Sequence, residues 1–70
     1  MKYAIVIERG PGNYSAYVPD LPGCVAAGDT IEETRREIRE AIAFHIEGMH
    51  ADGFPVPEPI THVAYVEVAT

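Results

Sequence analysis

Residues 17–33 read Tyr17-Val18-Pro19-Asp20-Leu21-Pro22-Gly23-Cys24-Val25-Ala26-Ala27-Gly28-Asp29-Thr30-Ile31-Glu32-Glu33. The fold turns on this stretch. Pro19 to Gly23 must break sheet pairing, since neither proline can donate to a ladder. Cys24 to Ala27 is short and apolar enough for a strand that stops at Gly28. Thr30-Ile31-Glu32-Glu33 is a capping box: the Thr30 hydroxyl takes an orphan N–H and Glu33 reaches back to the cap. Glu32 and Glu33 also sit where the helix dipole favours negative charge. A strand, a corner, a second strand and a helix start are therefore written within these residues.

Downstream, Ile31, Ile38, Ile42 and Met49 fall on one helical stripe, flanked by Thr34, Ala41, His45 and Ile46. Glu33, Glu37, Glu40 and Glu47 lie opposite. The spacing predicts a helix from about Ile31 to His50, ending before Gly53. Phe54-Pro55-Val56-Pro57-Glu58-Pro59 alternates proline and reads as an extended connector. Thr61 to Val68 is rich in β-formers. Upstream, residues 2 to 9 and Tyr14 to Val18 are strand candidates joined by Gly10-Pro11-Gly12-Asn13, a hairpin pattern. The expected fold is α+β, in the order β-β-β-α-β, with one helix on one sheet face.

The chain has 70 residues and a net charge of −6, with 11 acidic against 5 basic side chains. That is too short for two domains or for a catalytic domain of ordinary size. Disulfides cannot add stability, because there is one cysteine. At 47% hydrophobic the chain is no disordered tail. Its acidity argues against binding nucleic acid by charge and suits a basic partner. The apolar start Tyr3-Ala4-Ile5-Val6-Ile7 is cut off by Glu8 and Arg9, too short for a secretory h-region or a membrane span. A cytoplasmic chain is expected, with no membrane partner. No Gln and a single Asn, Asn13, would suit a thermophile or a high-G+C codon bias equally.

No chemistry assembles. Cys24 has no neighbouring His or cation to lower its pKa and reads as a small buried residue. His45 and His50 are five apart, so they diverge by about 140° on a helix and make no ligand pair. Neither metal nor cofactor is expected. Arg35, Arg36 and Arg39 form a basic flank, read as pairing with Glu32 and Glu40. A two-metal nuclease would need Glu8, Glu40 or Glu47, and Glu67 to converge, whereas the helix glutamates face away from the sheet. Ser15 is the only serine, so no triad can be built. The chain is not read as an enzyme.

Apolar surface is left over. One helix covers one face of a small sheet, yet the first and last strands carry apolar residues on both faces. Phe44 falls among the glutamates. These features predict a homo-oligomer, a dimer or higher, with Phe44, Val63 and Tyr65 as interface candidates.

Tyr17-Val18-Pro19-Asp20-Leu21-Pro22-Gly23-Cys24 followed by Gly28-Asp29-Thr30-Ile31-Glu32-Glu33 resembles the HicB-like antitoxin family. Arg39-Glu40-Ala41-Ile42 and Asp52 to Pro59 resemble that family's later segments, so the likeness covers nearly the whole chain. It implies a partial ribonuclease-H-like sheet in β-β-β-α-β order, homo-oligomers, and occlusion of HicA, a small basic mRNA-cleaving toxin with a double-stranded-RNA-binding fold. Family members that repress their own operon carry a DNA-binding segment after this domain. This sequence ends at Thr70, so direct DNA binding is not expected. Thr34-Arg35-Arg36 stands where an Ala-Leu-like pair is common and makes that flank more polar. The motif residues Pro19, Asp20, Leu21, Pro22, Gly23, Cys24, Gly28, Asp29, Thr30 and Glu33 are read as structural: the prolines and Gly23 shape a corner, Asp20 is an Asx-type turn residue, and Thr30 and Glu33 cap the helix. The alternatives are an orphan homo-oligomeric module binding another protein or a ligand and, last, a residual metal-dependent nuclease.

Overall fold

A computed structural model describes residues 1–70. Three strands, β1 (Val6–Gly10), β2 (Asn13–Tyr17) and β3 (Val25–Gly28), precede one helix, α1 (Ile31–Ala51). The strands form an antiparallel sheet in the order β1-β2-β3. The protein is α+β in the expected order through the helix. No helix is long and apolar enough to cross a membrane.

Register explains where the first strand begins. Val6 lies opposite Tyr17, the last residue of β2. Val18 has already left the sheet, its N–H donating to the Cys24 carbonyl at 3.2 Å. Residues 2–5 therefore have no β2 residue beside them, and β1 starts at Val6 instead of residue 2. Pairing across the sheet puts Ile7, Ala16 and Ala26 in one row on the helix side, and Arg9, Tyr14 and Gly28 in the next. Tyr3 and Ile5 continue that side toward the N-terminus and pack on the core.

The helix begins at Thr30, whose hydroxyl accepts from Glu33 N at 3.0 Å, the hydroxyl half of the capping box. It ends in a Schellman motif. Gly53 N–H reaches the His50 carbonyl and Phe54 N–H the Met49 carbonyl, with Gly53 at φ 74°. The core holds Ala16, Val18, Leu21, Cys24 and Ile38. Three of these five come from the corner between β2 and β3, so the corner is a wall of the core and not a surface loop. Thr34 is also fully buried, and its Oγ1 donates to the Thr30 carbonyl at 2.7 Å. The expected polar flank is thus confined to Arg35 and Arg36; Thr34 faces inward, its hydroxyl satisfied by the preceding turn.

Two expectations change. Ile31, placed on the buried stripe, is 51% exposed. The helix lies over β3 and β2 and only grazes β1, so its first apolar residue overhangs an open groove. The expected last strand, Thr61 to Val68, is not a strand in the single chain: residues 61–70 are all exposed and carry no strand assignment. A strand exists by its ladder, and no backbone-to-backbone hydrogen bond involves these residues.

Candidate functional site

The corner at 18–24 is two consecutive turns. Leu21 N–H donates to the Val18 carbonyl and Cys24 N–H to the Leu21 carbonyl, both at 3.1 Å. Pro19 and Pro22 each occupy the second position of a turn, where a φ near −65° is needed. Gly23 follows Pro22 with φ 83°, the type II pattern that a side chain would strain. These turns drive Val18, Leu21 and Cys24 inward to 1–3% exposure. Burial pushes the Cys24 thiol up from its ordinary pKa, away from a reactive thiolate.

Asp20 does something its local sequence did not suggest. Its carboxylate accepts from Ile60 N–H and Thr61 N–H at 3.1 Å each, and from the Thr61 hydroxyl at 2.7 Å. The Asx-type turn is replaced by a clamp on a segment forty residues away. The Thr61 hydroxyl bond is the main cause holding the Asp20 carboxyl below its usual range, with the two backbone donors adding to it against some burial. Nearby, the Tyr3 hydroxyl donates to the Pro57 carbonyl. Burial, and then the charges of Glu58 and Asp20, push that phenol up. The proline-rich connector is thereby pinned at two points, and Thr61 leaves the body from a fixed place.

Gly28 sits directly under the helix start. A Cβ there would lie 2.8 Å from Thr34 Oγ1, 2.9 Å from Thr34 N and 3.2 Å from Glu33 Cγ. Asp29 and Thr30 are exposed at the cap. The shared motif thus brings Pro19 to Cys24 into the core wall and Gly28, Thr30 and Glu33 into the strand–helix junction.

Two surfaces remain. Along β1 runs a groove between the sheet and the 61–65 segment. One part is lined by Ile5, Ile7, Arg9, Ile31, Arg35 and Tyr65, the next by Lys2, Ile5, Arg35, Arg39, His62 and Val63 among others. Four of the five cations of this acidic chain therefore edge one groove. Arg35 and Arg39 turn toward β1, whereas pairing with the helix glutamates was expected. On the outer side of α1, Phe44 is 80% exposed, with Glu37, Glu40 and Glu47 exposed one and two helical turns away. The open sheet face adds little: one apolar row, Val6-Tyr17-Val25, and then Glu8-Ser15-Ala27. Exposed apolar side chains thus include Tyr17 and Val25 on that face and Ile31 at the helix start, besides Phe44 and the tail, where Tyr65 is 96% exposed. No three of the His, Cys, Asp and Glu side chains gather as a possible cation site.

A family model described as the HicB-like antitoxin of bacterial toxin–antitoxin systems matches residues 3–69. Over 58 residues the chain is 48% identical to a 14.9 kDa protein from the rep–hol intergenic region of Haemophilus phage HP1, and spans 83% of itself but only 44% of that protein. A UPF0150 protein of Synechocystis is 42% identical over 57 residues, covering 80% of this chain and 72% of that one. Among solved structures, a chain of the HicA3 and HicB3 toxin–antitoxin complex superposes with TM-score 0.74 at 37% identity, over 86% of this chain and 70% of that one.

Proposed function

The chain belongs to the HicB-like antitoxin family, and from that premise we propose that it acts by binding, without catalysis, as an antitoxin that occludes a small basic HicA-like toxin and so blocks mRNA cleavage. The observation that carries this reading is the likeness to a chain of a HicA–HicB complex at 37% identity. Physical chemistry supports it from the other side. A net charge of −6 gives a field that steers a basic partner. Phe44, with Glu37, Glu40 and Glu47 about it, offers an apolar anchor inside a charged rim, which is how binding energy is usually concentrated. The reactive groups of this chain are capped, buried or dispersed, so its contribution is coverage.

Co-expression with a small basic toxin encoded beside it tests the proposal. Growth rescue and co-purification of the pair at equal stoichiometry are expected. Failure of both, with each protein folded and expressed, sinks the antitoxin reading.

A further inference from the structure

The sheet has a free edge on the side away from the groove. β3 is the last strand in the order β1-β2-β3, and its register tells which backbone groups are unused. Val18 N–H donates to the Cys24 carbonyl at 3.2 Å, which continues the pairing of Ala16 with Ala26 and of Tyr14 with Gly28. In an antiparallel ladder, bonded and non-bonded pairs alternate. Ala26 and Gly28 therefore turn their N–H and C=O groups toward β2, while Val25 and Ala27 turn theirs outward. Neither Val25 nor Ala27 enters a turn or loop bond. Val25 is 64% exposed, and Ala27 is exposed as well. Sheet edges are ordinarily blunted by charge, proline or a bulge. β1 carries Glu8 and Arg9. β3 reads Val25-Ala26-Ala27-Gly28 in unbroken register and has none of these.

The helix flanks that edge with negative charge. Arg39, one residue after the buried Ile38, turns about 100° one way, into the groove along β1. Glu37, one residue before Ile38, turns about as far the other way, past the outer edge of β3. Phe44 falls within about 20° of Glu37, and Glu33 within about 40°. A Cβ on Gly28 would lie 3.2 Å from Glu33 Cγ, which sets this flank against the end of β3. From Thr34, beside Gly28, the helix advances about 15 Å to Phe44, the length of about five strand residues. Charge is divided across the molecule. Lys2, Arg9, Arg35 and Arg39 line the groove on the β1 side, and the fifth cation, Arg36, is exposed on the outer face of α1.

We propose that the outer edge of β3 and the Glu37–Phe44 flank of α1 form one docking surface, which takes an extended cationic segment of a small basic protein as a fourth strand. Such docking rests on the antitoxin role and specifies how the toxin is held. Its backbone bonds to Val25 and Ala27, its Lys or Arg side chains meet Glu33 and Glu37, and an apolar side chain packs on Phe44. A second copy of this chain is disfavoured here, because pairing two β3 edges about a two-fold axis brings the same carboxylates face to face.

Amide hydrogen exchange by NMR on the isotope-labelled full chain, alone and with the small basic protein encoded beside it, provides the test. The Val25 and Ala27 amides are expected to exchange fast in the free chain and to slow by roughly tenfold or more in the complex. Ala27→Pro removes an outward N–H and no bond of the sheet, so the fold persists, as circular dichroism would verify, and affinity should fall by roughly tenfold. Glu37→Lys, at an exposed helix position, should weaken binding by roughly fivefold or more at low salt. A complex in which Val25 and Ala27 exchange as fast as before, or one indifferent to both variants, would overturn the proposal and leave the antitoxin role standing. Absence of any complex, with both proteins folded, would overturn the two together. Concentration-dependent protection of the same amides in the free chain would also overturn the docking, because a second copy would then hold the edge.

Discussion

Replacing Gly28 by alanine isolates the strand–helix junction in one methyl group. The new Cβ would stand 2.8 Å from Thr34 Oγ1 and 2.9 Å from Thr34 N, well inside van der Waals contact. Neither neighbour can step aside. Thr34 is fully buried with its hydroxyl committed to the Thr30 carbonyl, and its N–H is committed to the same carbonyl at 2.9 Å. Either β3 or the first turn of α1 must move, and overpacking of this kind costs about 1–3 kcal/mol. With an unfolding entropy of about 2.1 cal/mol/K per residue, a domain this size would lose about 7–20 °C in Tm. The same substitution at Gly48 supplies the control. Gly48 is exposed on α1 with no atom within 4 Å of its would-be Cβ, so alanine there should stabilise by about 0.5–1 kcal/mol through helix propensity. Thermal and urea unfolding of both variants, with the urea m-value unchanged, gives the comparison. Should the two alanines shift Tm in the same direction, or Gly28→Ala leave it in place, the close approach is not what holds the junction together.

Other consequences follow from the same geometry. The Asp20 carboxyl is held below the usual carboxylate range, so its hold on Ile60 and Thr61 is fully present above that range and is lost as pH falls through the lower folded value. Hydrogen exchange at those two amides should therefore speed up on acidification beyond the intrinsic pH trend, and Asp20→Ala should show the fast behaviour at neutral pH. Cys24 should react with an aromatic disulfide reagent only at the rate of unfolding, since its thiol is buried with a raised pKa; fast labelling of the native protein would contradict its place in the core. Phe44→Ala should leave Tm almost unchanged, as an exposed site does, while costing toxin affinity about 2 kcal/mol, roughly thirtyfold by titration calorimetry. Equal affinity in that variant would move the docking face away from α1.

The parts of this protein that were legible in the sequence rest on contacts between near neighbours in the chain. Thr30 caps a helix whose first N–H groups lie within four residues, and Pro22-Gly23 makes its turn with the two residues that flank it. Capping, turn type and the 3.6-residue stripe are local physics, so α1 and the corner could be placed within a residue or two. The corner's inward direction was harder to see. Leu21 sits between two prolines and looks like loop, yet two successive turns fold it to 1% exposure. Only the closing bond from Val18 to Cys24 decides that.

Asp20 marks the boundary more sharply. Between two prolines, an aspartate is most simply satisfied by its own turn, and no pattern names partners at 60 and 61. That bond depends on where Pro55 to Pro59 carry the chain after the helix, which is a property of the whole body. The last strand is the converse case. Its β-rich composition was plain, but a strand exists only by its ladder, and this segment makes no backbone ladder in the single chain. The sequence by itself determined the order of elements through the helix, their caps and turns, and the family, because these depend on neighbours in the chain. Tertiary structure alone decided that the corner is core, that Gly28 is a contact point, that four cations share one groove, and that Thr61–Val68 has no edge of its own, because each depends on residues brought together from far apart.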